Sequence, residues 1–185
     1  MKKILFSLAV LLVLNGCSKP DHDDSKEIAE EANDDRFDKT GREDDVQFAM
    51  DAADGGMLEV KLAQLALTNG ASSEVKNFAQ TMINDHTKAN EELKTLAESK
   101  GIVLPTTLSD ENQKDYTDLS EKKGADFDKA YCDFMVKDHK DDIDEFKKEA
   151  EKGNDPEIKD WASGKVPTLE NHLSMAESMK ESLKK

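Results

Sequence analysis

The sequence predicts an all-α four-helix bundle, and three observations carry that prediction. Four long segments repeat apolar residues at steps of three and four, the spacing of one helix face. Each is bounded by residues that cap or break helices. The composition is rich in Leu, Ala, Met, Lys and Glu, with aromatics at only 5 %, which favours helix. No segment alternates with the period of a strand.

From the N-terminus, residues 1–16 read as a secretory signal. Met1-Lys2-Lys3 is a positive start, Ile4 to Leu14 is apolar and uncharged, and Gly16 supplies a small residue at the cut. The run is too short to span a bilayer as a stable helix. Leu14-Asn15-Gly16-Cys17 resembles the lipobox of bacterial lipoproteins. That resemblance implies lipid on Cys17, which becomes the mature N-terminus, and anchoring to the outer membrane. Residues 17–45 then read as a lipidated Cys and an acidic tether. Asp21, Asp23, Asp24, Glu27, Glu30, Glu31, Asp34 and Asp35 dominate it. So few apolar residues cannot offset ordering, so an extended, disordered spacer with at most a frayed helix over 25–37 is expected.

The folded domain is expected over 46–185. Its first long helix runs from about 45 to 68, with Phe48, Ala49, Ala52, Gly56, Glu59, Leu62, Ala63 and Ala66 on one face, and ends at Asn69-Gly70. Gly55-Gly56 reads as a place of close helix contact or local bending. Ser72 or Ser73 caps the second, whose stripe is Val75, Phe78, Ala79, Met82, Ile83, His86, Leu93 and Leu96, and Gly101 closes it. Pro105 and Thr106-Thr107 make a loop, and Ser109 caps a short helix bearing Tyr116 and Leu119. After Gly124, Asp126 is the expected cap of the third long helix, with Phe127, Tyr131, Phe134, Met135, His139, Ile143 and Phe146 on its stripe. Asp155-Pro156 starts the fourth, with proline in the first turn where its missing N–H is harmless. Its stripe is Ile158, Trp161, Ala162, Leu169, Leu173, Ala176 and Met179, and Gly164 and Pro167 predict a kink or short break. A longer connection between the second and third helices, holding a short extra helix, is the ferritin-like arrangement.

Two of these stripes are near copies. Phe78-Ala79-Gln80-Thr81-Met82-Ile83-Asn84-Asp85-His86 and Tyr131-Cys132-Asp133-Phe134-Met135-Val136-Lys137-Asp138-His139 share aromatic, Met, β-branched, Asp and His in the same order. Several strings, namely Phe48-Ala49 through Gly55-Gly56 to Glu59 and Leu62, Val75-Lys76 through Phe78 and Met82 to Asp85-His86, Leu104-Pro105, Phe127 and Tyr131 through Asp138-His139, and His172-Leu173, together resemble the bacterial domain-of-unknown-function family 4142. The resemblance covers roughly 46–182. It implies a ferritin-like bundle and an outer-membrane location, and it implies no reaction.

Glu59, His86, His139 and His172 fall near mid-helix on four different stripes, so one carboxylate and three imidazoles can converge in the bundle core. Two readings stand. In the first, Glu59 accepts a hydrogen bond from a histidine and the group is a dry polar pin. In the second it holds a metal, with Cu or Zn ahead of Fe; Met82 and Met135, each four residues before a histidine, would support a soft ion. A small-molecule pocket is a third. The residues three before His86, His139 and His172 are Ile83, Val136 and Leu169, so the Glu-x-x-His carboxylates of di-iron bundles are absent. Asp85 and Asp138, one residue off the stripe, are expected to face water or cap a neighbouring group. Cys132 aligns with Ala79 and reads as a small buried residue.

Net charge is -15, and without Lys2 and Lys3, 24 bases stand against 41 acids, or -17. Such a surface repels phosphate backbones and anionic head groups, which argues against nucleic-acid partners and leaves membrane contact to the lipid. With Cys17 lipidated, Cys132 has no partner for an internal disulfide. No Gly-rich phosphate loop, nucleophile elbow or acid–base pair is present. The sequence therefore reads first as a non-enzymatic envelope lipoprotein with a structural or interaction role, and alternatively as a metal-binding module.

Overall fold

A computed structural model describes residues 24–183; the signal segment and the expected lipidation site Cys17 lie outside them. Six helices follow in order: α1 Ser25–Phe37, α2 Glu43–Asn69, α3 Ser73–Lys100, α4 Asp110–Ser120, α5 Gly124–Lys152 and α6 Pro156–Ser182. Side-chain caps fix the starts of several. Ser72 accepts from the Glu74 and Val75 amides, Ser109 from Asn112, and Asp155 from Glu157 and Ile158. Asp126, the expected cap of the third long helix, instead lies in the first turn of α5, where its charge faces the positive helix end.

Short turns make α2–α3 and α5–α6 into hairpins, and α2 also lies on α5 while α3 lies on α6. This is the four-helix bundle expected, with α4 in the crossover between its second and third members. The crossover lets α3 and α5 run the same way. Their starts are joined where Gly70 and Gly124 pair backbone to backbone as a parallel bridge. Asp128 reinforces the joint by accepting from the Ala71 and Ser72 amides at 3.1 and 2.8 Å. Gly124 sits at φ +62°, a conformation side chains rarely adopt.

Two expectations need correction. The stretch 25–37 is not a frayed part of an extended tether. It forms α1, which buries Ala29, Asn33 and Phe37. Asn33 explains why so polar a helix docks: its Nδ2 donates to the Val103 carbonyl at 2.8 Å, and its Oδ1 accepts from the Val103 amide at 2.9 Å. Ser25 Oγ accepts from the Thr106 amide at 2.7 Å, and Lys26 pairs with Asp51 at 2.6 Å. The crossover's backbone polar groups thus find partners in α1, and the folded unit includes it. The second correction concerns the short break allowed for in the fourth long helix, since α6 runs through Gly164 and Pro167 as one helix. Proline there removes one backbone donor, and burial of Ile158 and Ala162 before it and of Leu169, Ala176 and Met179 after it keeps the helix whole.

The core falls into two apolar clusters. One holds Leu58, Leu62, Phe78, Met82, Tyr131, Met135 and Ala176. The other holds Phe48, Ala53, Leu93, Ile143, Phe146 and Leu169. Along α3, His86 lies between Met82 of the first and Leu93 of the second. His139 separates Met135 from Ile143, and His172 separates Ala176 from Leu169. A polar layer therefore divides the core at one height. Among the described residues no helix is long and apolar enough to cross a membrane.

Candidate functional site

The polar layer brings together the four residues picked out from the stripes. His139 and His172 are fully buried, with Glu59 and His86 nearly so. His86 Nε2 lies 3.3 Å from His172 Nδ1, and His139 Nε2 lies 3.4 Å from the same atom. These three imidazoles form one group of converging nitrogens. Glu59 does not complete it as a fourth equal member. Its Oε2 accepts from His86 Nδ1 at 2.6 Å, and its Oε1 lies 3.5 Å from His139 Nε2. Glu59 instead groups with Asp138, His139 and Asp142.

The carboxylates set the tautomers. An ionised carboxylate only accepts, so His86 carries its proton on Nδ1, toward Glu59. His172 donates from Nε2 to Asp85 Oδ2 at 3.0 Å. Its Nδ1 is then a lone pair facing the Nε2 lone pair of His86. Carboxylates that hold the outer nitrogen of an imidazole and free the inner one are the usual surroundings of a metal-binding histidine. Asp85 is the partner the sequence placed only loosely, and its position immediately before His86 conceals that it serves a ring on a different helix. Met82 and Met135 are fully buried in the first apolar cluster, one turn from His86 and His139.

Burial dominates the protonation of the layer. It pulls His139 down to about 4, against the opposing pull of the Glu59 charge. It also lowers His172, despite the hydrogen bond to Asp85. Burial alone would raise Glu59, but His86 beside it, with His139 and His172 behind, holds Glu59 below its ordinary value. Asp138 is pushed well up by burial first and by the Glu59 charge second, and Asp142 by burial and then Asp138. Cys132 is fully buried, as expected, and burial takes its thiol to about 12, which makes it inert.

A cavity of about 140 Å³ runs from exposed Lys88 and Thr168 to His172, and Glu59, His86 and Asp142 also line it. Gly56 keeps it open beside Asn90, since a Cβ there would collide with the Asn90 side chain, whereas one on Gly55 would meet nothing. Trp161, expected as core, is partly exposed on the cavity wall, tilted against Phe146 at a ring separation of 5.5 Å.

A family model described as "Domain of unknown function (DUF4142)" matches residues 24–179. Comparison with curated proteins gives no match. Among solved structures, a DUF305 protein from Streptomyces coelicolor is similar at 14 % identity, covering 76 % of this chain and 92 % of its own, with a TM-score of 0.65. A DUF305 fragment from Deinococcus radiodurans is similar at 14 % identity over 75 % and 96 %, TM-score 0.66. CopM in a Cu(I)-bound form is similar at 16 % identity over 75 % and 96 %, TM-score 0.64. At these identities the likeness is one of fold.

Proposed function

This chain belongs to the DUF4142 family, and from that premise we propose that it is a non-enzymatic, lipid-anchored envelope protein whose bundle binds a copper or zinc ion through His86, His139 and His172. The observation that carries the proposal is the spacing of the inner nitrogens, 3.3 and 3.4 Å. Two nitrogens each bound to one ion at ~2.0–2.1 Å in tetrahedral geometry stand roughly 3.3–3.4 Å apart. A good N–H hydrogen bond is shorter, at about 2.9–3.0 Å. With His86 and His172 both presenting lone pairs inward, a cation between the rings satisfies what no proton on either can. Three imidazoles suit copper and zinc, copper binding the tighter, and iron ranks behind them. The copper-bound neighbour of the same fold is compatible with that choice. Lipid on Cys17 would hold the protein at the outer membrane, as the Leu14-Asn15-Gly16-Cys17 string suggests.

The 2.6 Å contact of Glu59 with His86 favours a second reading, a polar pin that fixes the register of the core. Melting curves of wild type and His172→Ala, with and without Cu2+ and Zn2+ at near-neutral pH, separate the two. A bound ion at a hundredfold excess over Kd stabilises the wild type by about 2.7 kcal/mol. The variant should lose most of that gain, and the gain should shrink as pH falls through the imidazole range. No metal-dependent shift in the wild type would leave the pin alone.

A further inference from the structure

Beside the three imidazoles lies a second cluster, which shares His139 and Glu59 with them and adds two carboxylates that their chemistry does not use. Glu59, Asp138, His139 and Asp142 each bring a donor atom within 4.8 Å of the others. Acidic clusters normally stand in water and need no ion, but this one is half enclosed, with Asp138 and Asp142 half-buried around a buried Glu59. Glu59 is 3 % exposed, and its Oε1 makes no hydrogen bond. Asp138 Oδ2 is likewise buried without a hydrogen bond. Carboxyl oxygens satisfy one another only by sharing protons, as burial favours at Asp138 and Asp142, or by gathering round a cation. Among the described residues no lysine or arginine pairs with these three carboxylates; Lys137 is taken by Asp141 at 2.8 Å, and Lys26 by Asp51. Asp138 and Asp142 stand one turn apart on the same face of α5. Glu59 meets them from α2, its Oε2 turned to His86 and its Oε1 left over. Glu59 and Asp142 both line the cavity, so an ion has a way in.

We propose that Glu59, Asp138 and Asp142 bind a second divalent cation, one that prefers oxygen ligands, of the Mn2+ class. Carboxylates select such ions, whereas three imidazoles select copper and zinc. Glu59 would then serve both sites, orienting His86 with one oxygen and ligating the second ion with the other. The inference goes beyond the imidazole site and uses different donors, so each can fail without the other.

The test titrates the full-length, metal-free protein with Mn2+, following free Mn2+ by electron paramagnetic resonance, and reads the copper-dependent melting shift on the same samples. Wild type should take up a single tight Mn2+ equivalent. The double variant Asp138→Asn/Asp142→Asn should bind it roughly tenfold more weakly or worse, with its copper shift retained. His86→Ala/His172→Ala should keep Mn2+ and lose the copper shift. Should the double aspartate variant fail to fold, the single variant Asp142→Asn, which leaves the Glu59–His86 contact untouched, makes the same test. Mn2+ binding in the wild type no tighter than in the carboxamide variants overturns the inference, whatever copper does. Loss of the copper shift alone overturns the imidazole site instead.

Discussion

Replacing His139 by glutamine should flatten the response of stability to acid. His139 is 0 % exposed, and burial takes its pKa from 6.5 to about 4. The unfolded chain takes up a proton near pH 6.5, while the folded one resists until about pH 4. Stability contributed by the neutral ring is therefore complete above pH 6.5 and is lost as pH falls toward 4. Each tenfold difference in proton affinity is worth 1.36 kcal/mol, so the full loss is roughly 3 kcal/mol, of which about 2 has gone by pH 5. Glu59, Asp138 and Asp142 also titrate near this ring, so the useful quantity is the difference between wild type and His139→Gln. Urea unfolding of metal-free protein by circular dichroism at pH 7.5 and 5.0 measures it. The variant should be less stable at pH 7.5, and the gap should narrow by about 2 kcal/mol at pH 5.0. Parallel pH profiles for the two proteins would refute the claim that His139 is buried neutral.

Three further outcomes are expected. Phe37→Ala should cost about 3–5 kcal/mol in the same unfolding assay, as buried Phe truncations do, because Phe37 is buried in a helix that belongs to the fold; a change near zero would return α1 to the tether. Glu149→Gln should gain on wild type as pH rises. Burial and then Asp45 raise the Glu149 carboxyl to about 7, so the stability of its protonated form is present below about pH 4.5 and lost as pH climbs through 7; melting curves at pH 5 and 8 that shift equally would refute this. Cys17→Ser should abolish fatty-acid labelling and release the protein from the membrane fraction, and unchanged labelling would remove the anchor.

The four long helices and the convergence of three histidines were legible because burial at a fixed period leaves its mark on composition. His86, His139 and His172 stand on stripes of Leu, Met and Phe, and mid-helix positions meet at mid-bundle. What was hidden depends on pairings between distant segments. Asn33 looks like one more polar residue until its side chain is seen to satisfy both backbone groups of Val103. Asp138 and Asp142 belong by period to the polar face, and only the approach of Glu59 from α2 turns them into a site. Pro167 shows only its local cost in the sequence, and burial of Ile158 and Ala162 before it and Leu169 and Ala176 after it outweighs that cost.

The pairing of Gly70 with Gly124 works as a shared origin for two rulers. His86 stands sixteen positions beyond one zero mark, and His139 fifteen beyond the other. At 1.5 Å per residue α5 carries His139 about 22–23 Å, and α3, which starts at Ser73, carries His86 about 20 Å beyond the short non-helical step from Gly70. Substitutions along either ruler leave that reading intact. A single inserted or deleted residue between a glycine and its histidine does not, because it displaces the ring by ~1.5 Å and swings it by ~100° about the helix axis. Descendants of this chain can therefore vary in residue identity over these two spans while being held to their length.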